Sequence, residues 1–164
     1  MVIWITGLSG AGKSSLARRV QSRLRAQGQH AVLVDGDAVR AIIADPHIGY
    51  DRASRLANAY RIARLAHWLE SQECLVVVAT VSLFHELHEW NRAHFRDYRE
   101  VYLETSTTLL HQRHPQQLYA GEQRGDIVGR EIVPEFPREP HLQLNNDGDV
   151  DQLDRLAQQV VGLL

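Results

Sequence analysis

One eight-residue segment, residues 7–14, constrains the fold of this chain more than any other feature. It is GLSGAGKS and fits the pattern G-x-x-x-x-G-K-[ST]. A run of apolar and β-branched residues precedes it at positions 2–6, and apolar residues at helical spacing follow it over positions 16–24. A strand, a glycine-rich turn and a helix in this order form a P-loop, which binds phosphate groups.

The residue types of this segment suit phosphate binding. Glycine lets the backbone approach an anion closely, so that N–H groups converge on it where the helix begins. We expect Lys13 to contact the β- and γ-phosphates of a nucleotide and Ser14 to bind Mg²⁺. Lys13 is also the only lysine, all other basic residues being arginine, which indicates that a compact ammonium group is needed there. The predicted nucleotide-binding residues of the segment are Gly7, Ser9, Gly10, Ala11, Gly12, Lys13, Ser14 and Ser15.

Composition indicates a single-domain protein of the soluble class. The 164 residues are 44% hydrophobic and 23% charged, which suits one core, and residues 1–164 are predicted to form one domain. The formal net charge of −2 argues against a nucleic-acid partner. The single cysteine, Cys74, is expected to be a buried core residue of a cytoplasmic protein. No apolar run approaches a membrane span, and residue 1 leads directly into the first strand, so neither a membrane segment nor a signal peptide is expected.

Apolar runs and helical stripes alternate along the chain. Strands are predicted at residues 2–6, 30–34, 74–80, 100–104 and 141–144. Helices are predicted from the apolar stripes at residues 16–24, 59–69 and 153–164, and a turn at residues 146–149. Trp90 and Phe95, in a polar segment after the third strand, are expected to be core residues. The alternation predicts an α/β protein of the P-loop NTPase fold, with a five-stranded, mainly parallel sheet and helices on both faces.

Two aspartates follow the second predicted strand. Asp35 and Asp37 flank one glycine, and parallel sheets bind ligands at the carboxyl ends of their strands, where residues 7–14 and 80–82 also fall. One carboxylate can orient and deprotonate an acceptor hydroxyl, while the other helps to hold Mg²⁺ through its waters. The predicted catalytic residues are Lys13, Asp35 and Asp37, and the predicted metal ligands are Ser14 and Asp35. A plain Asp-Gly turn is the alternative interpretation.

Two missing signatures narrow the class of P-loop protein. The third strand ends in Val78-Ala79-Thr80 and lacks the aspartate with which many P-loop ATPases bind the metal. An Asn-Lys-x-Asp guanine signature is excluded, because Lys13 is the only lysine. The sequence therefore favours a small-molecule kinase over a GTPase switch.

Residues 115–140 are the least regular part of the chain. They contain four of the five prolines and have too little apolar periodicity for a core element. In an enzyme that transfers phosphate, such a segment is expected to be a mobile lid. A static surface loop is the alternative.

Together these motifs resemble those of the adenylylsulfate kinase family, and the likeness covers most of the chain. Residues 7–14 match its G-L-S-G-x-G-K-S/T signature, and residues 35–40 match its D-G-D-x-x-R motif. Residues 49–61 are similar to its G-F-S-x-x-D-R-x-x-N-x-x-R segment, with tyrosine, aspartate and serine replacing phenylalanine, serine and aspartate. Residues 101–103, 112–113 and 118–119 are similar to its later E-V-Y-V, x-R-D and K-G-L-Y motifs.

This resemblance implies that ATP and Mg²⁺ are used to phosphorylate the 3′-hydroxyl of a nucleotide ribose, with Asp37 as the base. Arg40 and Arg55 would bind the phosphate–sulfate group of the acceptor, and Tyr50 would stack on its base. The resemblance also implies a nucleotide-binding Arg113 and a homodimer. The acceptor-binding residues that it implies are Asp37, Arg40, Tyr50, Arg55, Asn58, Ser82, Phe84 and Leu118. For Arg40 a solvated helix charge is the alternative, and for Arg61 and Arg64 it is the favoured interpretation.

Three departures from the family pattern concern the acceptor. Its S-P-Y-R-R motif is SLFHE at residues 82–86, so that His85 and Glu86 replace an arginine pair. Gln116 replaces the lysine of K-G-L-Y, and the F-T-G lid motif is shortened to residues 126–129. Adenylylsulfate, the acceptor in sulfate assimilation, is the leading candidate. Shortened lids also occur in relatives that phosphorylate cytidine diphosphoramidate in capsule modification, and a nucleotide-binding regulatory module without turnover is the competing class.

Overall fold

In a computed structural model, the chain forms one parallel β-sheet with helices on both faces. The structure describes residues 1–47, 49–113, 132–148 and 151–164. The strands are β1 (Val2–Thr6), β2 (Ala31–Asp35), β3 (Leu75–Thr80), β4 (Tyr98–Glu104) and β5 (Leu142–Asn145). They lie in the order β2-β3-β1-β4-β5, and each neighbouring pair is parallel. The predicted α/β fold with a five-stranded sheet is confirmed.

The described part contains six helices, two of which are capped at the N-terminus by an aspartate side chain. They are α1 (Lys13–Ala26), α2 (Gly36–Ile43), α3 (Arg52–Ser71), α4 (His85–His94), α5 (Thr107–Arg113) and α6 (Gln152–Val161). Asp35 caps α2, and Asp51 caps α3 by accepting a hydrogen bond from the Ser54 N–H at 3.0 Å. None of these helices combines the length and the apolar character that spanning a bilayer requires.

The two faces of the sheet bury separate apolar layers, because side chains alternate along each strand. In β1, Ile3 and Ile5 pack in the layer that α1 and α6 cover. Val2 and Trp4 pack in the layer that α3 and α4 cover. All five residues of β1 are buried, which explains why the strand is a continuous apolar run in the sequence.

The strand register brings the predicted ligand-binding segments to one edge of the sheet. Thr6 pairs with Thr80 on one side and with Tyr102 on the other, and Asp35 pairs with Ala79. The P-loop, the two aspartates and residues 80–82 therefore follow neighbouring strands at the same edge, as predicted.

Several local predictions need correction. Three strands begin one residue later than predicted, whereas β4 begins two residues earlier because Tyr98 pairs with Val2. Cys74 is half-buried rather than a buried core residue, since it precedes β3 in the turn after α3 and packs against the core on one side only. The polar segment at residues 85–94 forms α4. Within it Trp90 packs partly buried against the second layer, and Phe95 just after it is buried there, as predicted.

Candidate active site

The turn between β1 and α1 has the shape of a phosphate-binding cradle. A Cβ on Gly7 would lie 2.3 Å from the carbonyl oxygen of Leu103, so only glycine fits where the loop leaves the sheet. Gly12 has a left-handed φ of 96° and stands as the N-cap of α1. The first turn of α1, which the structure describes in full, contains no acidic residue. The N–H groups and the positive dipole end of α1 are therefore directed at the loop without a competing carboxylate.

Lys13 is buried against this loop. Its side chain is 9% exposed, and its Nζ donates a hydrogen bond of 2.7 Å to the carbonyl oxygen of Leu8. Burial lowers the pKa of Lys13 to about 8, although the charges of Asp37 and Asp35 act in the opposite direction. An anion in the loop would add negative charge beside this ammonium and favour its protonated form.

A hydrogen bond joins the P-loop helix to the end of β2. The Ser14 hydroxyl donates to Asp35 Oδ2 at 2.6 Å. The other oxygen of Asp35 accepts hydrogen bonds from the N–H groups of Asp37 and Ala38, at 3.0 and 3.3 Å, and so caps α2. A hydroxyl and a carboxylate oxygen are ligand types that suit Mg²⁺. The structure thus brings the two predicted metal ligands into contact, and their chemistry fits that ion.

Asp37 is the exposed member of the aspartate pair. It lies in the first turn of α2 with its side chain exposed, whereas Asp35 is half-buried. A Cβ on Gly36 would lie 2.9 Å from Thr80 Oγ1 and 3.3 Å from Ile62 Cδ1, so glycine lets α2 begin directly against the end of β3. The alternative of a plain Asp-Gly turn is wrong, because Gly36 begins a helix.

Two buried side chains hold the P-loop from behind. Asn146, just after β5, donates from Nδ2 to the carbonyl oxygen of Ala11 at 2.8 Å. Thr105 Oγ1 lies 3.3 Å from the same oxygen and shares its one hydrogen between it and the carbonyl oxygen of Glu104 at 2.9 Å. Asn146 is 3% exposed. The sequence predicts only a turn at Asn146 and therefore misses this contact. Its position at the carboxyl end of a parallel strand is the signal that could have identified it.

Arg113, at the end of α5, is attached to the same turn. Its guanidinium donates to the carbonyl oxygens of Asn146 and Gly148, at 3.1 and 3.4 Å. The predicted nucleotide-binding Arg113 is therefore linked to the P-loop through Asn146. The predicted acceptor residue Leu118 and the shortened lid motif at residues 126–129 lie outside the described residues.

Three predicted acceptor-binding residues form one cluster between α2 and α3. The guanidinium carbons of Arg40 and Arg55 lie 4.3 and 5.3 Å from the centroid of the Tyr50 ring. Arg40 donates to the carbonyl oxygen of Gly49 at 2.9 and 3.0 Å, and Arg55 donates to that of Tyr50 at 2.6 Å. The Tyr50 side chain is 54% exposed. An accessible ring flanked by two cations is therefore present in this cluster.

Asn58 and Arg61 lie beside this cluster. Arg61 donates to Asp45 Oδ2 at 2.7 Å, which holds the pKa of Asp45 below its usual range. Arg61 is therefore ion-paired and not a solvated helix charge. Asn58 lines a small cavity together with Arg40, Ile43, Asp45 and Arg61. The guanidinium of Arg64 lies 5.6 Å from the ring centroid of Tyr60.

The two predicted acceptor-binding side chains of the loop after β3, Ser82 and Phe84, are buried. Ser82 is 6% exposed, and its hydroxyl shares a hydrogen bond of 2.7 Å with the Thr80 hydroxyl. Phe84 is 2% exposed and packs in the layer under α3, with the Arg52 guanidinium 5.3 Å from its ring centroid. In this structure Phe84 serves the core, and its acceptor contact stays a prediction.

The described end of the predicted lid is attached to this loop. The Glu135 N–H donates to the carbonyl oxygen of Leu83 at 3.1 Å. The Glu135 carboxylate accepts from the His85 N–H at 2.7 Å, at the beginning of α4, and from Arg52 at 2.8 Å. Ile132 packs against Leu83. Residues 132–135 of the lid predicted at 115–140 are thus in defined contact with the loop after β3. Residues 115–131 of that segment lie outside the described residues.

The sequence profile of the family described as adenylylsulphate kinase matches residues 1–145. The chain is 33% identical over 148 residues to cytidine diphosphoramidate kinase of Campylobacter jejuni, covering 88% of this chain and 85% of that protein. It is 34% identical over 153 residues to the adenylyl-sulfate kinase of Aeromonas hydrophila, covering 90% and 77%. The structure of the Mycobacterium tuberculosis APS kinase CysC in complex with AMPPNP and APS matches with a TM-score of 0.86 and 33% identity, covering 99% of this chain and 95% of that one. The chain therefore belongs to the adenylylsulphate kinase family and is a phosphotransferase that acts on a hydroxyl group.

Proposed function

We propose that this protein transfers the γ-phosphoryl group of ATP to the 3′-hydroxyl of a nucleotide ribose, with adenylylsulfate as the leading acceptor. The observation that carries the proposal is the 2.6 Å hydrogen bond between Ser14 and Asp35. It connects the phosphate-binding loop to the helix that bears Asp37, so the donor phosphate and the base would lie on adjoining elements.

The P-loop would hold the donor nucleotide. The N–H groups at the beginning of α1 would bind phosphate oxygens, and Lys13 would neutralise the charge that develops as the γ-phosphoryl group moves. Arg113 lies at the neighbouring turn, where it would contact the nucleotide. A relative was solved with AMPPNP bound, which supports ATP as the donor.

Ser14 and Asp35 would hold Mg²⁺, directly or through water. When bound, the ion would neutralise phosphate charge during transfer. The Asp35 carboxylate already accepts three hydrogen bonds, from Ser14, Asp37 and Ala38. These contacts fix its orientation and leave Asp37 as the carboxylate available for proton transfer.

Asp37 would act as the general base. It would accept the proton of the acceptor 3′-hydroxyl as the new oxygen–phosphorus bond forms and the bond between the β–γ bridging oxygen and the γ-phosphorus breaks, releasing ADP. Its exposed position at the beginning of α2 is accessible to an acceptor.

The cluster of Tyr50, Arg40 and Arg55 would recognise the acceptor. An exposed aromatic ring suits stacking on a nucleobase, and guanidinium groups suit a phosphate-linked anion. The relative solved with APS supports an acceptor of this kind.

Cytidine diphosphoramidate is the second candidate acceptor, favoured by the charges around Arg52. Glu86 and Glu135 lie 3.5 and 2.8 Å from its guanidinium, so two carboxylates face one cation beside the loop after β3. A sulfate terminus offers only hydrogen-bond acceptors, whereas a phosphoramidate terminus also carries N–H donors that a carboxylate can accept. A relative named for this activity is similar over most of the chain.

The test is a comparison of kcat/KM for the two acceptors with saturating ATP and Mg²⁺. We expect acceptor-dependent formation of ADP with at least one of them, and none with Lys13→Ala. A higher kcat/KM for the cytidine compound would make it the acceptor in place of adenylylsulfate and leave the phosphoryl-transfer mechanism intact. ATP binding without acceptor-dependent turnover would instead indicate the regulatory module.

The homodimer stays a prediction that sedimentation can test.

A further inference from the structure

A buried polar network lies behind the loop after β3 and has no role in the proposed chemistry. Its members are His88 and Arg92 of α4 and Tyr98 and Glu100 of β4. His88 is 2% exposed and Glu100 is 0% exposed. Burying groups of this kind is unfavourable unless they are hydrogen-bonded, so each contact that they make needs an explanation.

His88 bonds directly to the backbone of the loop. Its Nε2 lies 3.0 Å from the carbonyl oxygen of Ser82. A carbonyl oxygen can only accept, so Nε2 carries the hydrogen and donates it. Burial lowers the pKa of His88 to about 4, and the ring is therefore neutral near pH 7 with no hydrogen on Nδ1. Among the described residues Nδ1 has no hydrogen-bond partner, which leaves the bond to Ser82 as the ring's one hydrogen bond there.

Glu100 fixes the other side of the network. It accepts hydrogen bonds from Arg92 and, at 3.2 Å, from the Tyr98 hydroxyl. The Glu100 carboxylate also lies 3.8 Å from His88 Nδ1. The strand β4 that carries Glu100 is hydrogen-bonded to a neighbouring strand on each side. The His88 ring therefore lies beside a fixed element of the sheet.

The Ser82 carbonyl group, to which His88 is hydrogen-bonded, is close to the edge of the sheet where the P-loop and the two aspartates lie. The hydroxyl of the same residue, Ser82, shares a 2.7 Å hydrogen bond with Thr80. The Thr80 hydroxyl in turn lies 2.9 Å from where a Cβ of Gly36 would stand. Gly36 is the residue between the two aspartates. The loop that His88 holds is therefore connected through Thr80 to the beginning of α2, next to Asp37 in the chain.

We propose that His88 is a positioning residue, whose Nε2 hydrogen bond to Ser82 holds the loop after β3 in register with Asp37 for acceptor binding. The proposal rests on the proposed function, because it assigns that loop to the acceptor side of the site. His88 does not touch the reacting atoms. Its effect is on the acceptor and not on ATP, since the loop holding ATP is bonded to Asn146 and Thr105 instead.

Two substitutions of His88 test this role, because their side-chain amides differ in whether they can reach the Ser82 carbonyl oxygen. In His88→Gln the side-chain nitrogen can occupy the place of Nε2 and donate to Ser82, whereas the shorter side chain of His88→Asn cannot reach it. We expect His88→Asn to raise the KM for the acceptor about fivefold, the effect of one hydrogen bond, with the KM for ATP unchanged. His88→Gln should stay within about twofold of the wild type for both substrates. Equal acceptor KM values for the two variants would overturn the proposal.

A second readout does not depend on turnover. Amide hydrogen exchange over residues 81–84 should be faster in His88→Asn than in the wild type and should return toward wild type in His88→Gln. Phe95→Leu is the matched control, because it perturbs the same core layer without reaching Ser82. If Phe95→Leu accelerates exchange in that loop as much as His88→Asn does, the role of His88 is packing and the proposal fails. Failure of every acceptor with the wild type would reject the proposed function, while this exchange comparison would still decide whether His88 holds the loop.

Discussion

The two aspartates after β2 differ in what surrounds each carboxylate. Asp35 is bonded to Ser14 and to the beginning of α2, and Asp37 is exposed. We predict that Asp37→Asn lowers kcat by roughly 10²–10⁴, the usual contribution of a positioned general base, with little change in the KM for ATP. Steady-state kinetics with both substrates measure this. An unchanged kcat would move the role of base to another residue, with Asp35 as the next candidate.

Lys13 has a lowered pKa that makes ATP binding depend on pH. With its pKa near 8, Lys13 loses its proton as the pH rises above 8 in the free protein, whereas bound phosphate raises that pKa again. ATP binding therefore takes up a proton above pH 8, and the Kd for ATP should rise there by up to about tenfold per pH unit. Titration calorimetry at pH 7, 8 and 9 measures it. Lys13→Ala, which has no ammonium to titrate at this position, should bind ATP more weakly and lack the rise, and a pH-independent Kd in the wild type would contradict the assignment.

At the scale of elements, the turn after β5 supports the P-loop. Asn146→Ala removes the hydrogen bond to Ala11 and leaves that carbonyl, among the described side chains, with the 3.3 Å contact from Thr105. We expect the KM for ATP to rise about fivefold, equivalent to about 1 kcal/mol, with a smaller effect on the acceptor. Asn145→Ala is the control, since in the described part of the chain the exposed Asn145 side chain bonds to Asp147 and not to Ala11. Equal effects of the two substitutions would show that the turn as a whole, and not this contact, matters.

Some elements of the fold could be predicted from the sequence, and others could not. The P-loop, β1 and β3 could be predicted because buried parallel strands are continuous apolar runs and the loop has a strict residue pattern. Helix α4 could not, because the face that it buries contains His88 and Asn91 beside Leu87, so the apolar period is hidden. Asn146 and Glu100 were missed for a related reason. Their partners lie 135 residues away or on another element, and no local spacing encodes such contacts.

At the scale of the whole molecule, Glu70 ties α3 to the segment before β4. Its carboxylate, 3% exposed, accepts hydrogen bonds from the N–H groups of Arg96 and Asp97 at 3.0 and 3.1 Å. Glu70→Ala leaves both donors without this partner, so we predict a loss of about 2–3 kcal/mol in the free energy of unfolding with unchanged KM values. Urea unfolding measures it. Glu89→Ala, at a 68% exposed residue, should change stability by less than about 0.5 kcal/mol, and equal losses for the two would contradict this role of Glu70.

The central claim is that the protein phosphorylates a ribose 3′-hydroxyl at the edge where the P-loop and Asp37 meet. The most direct measurement is phosphorus–proton NMR of the product formed from ATP, Mg²⁺ and either acceptor, with Asp37→Asn as the control for slow transfer. We predict a new phosphorus signal coupled to the ribose 3′ proton, formed together with one equivalent of ADP. A new phosphate on the 2′ oxygen or on the anionic terminus of the acceptor, or ADP formed at the same rate without acceptor, would contradict the account.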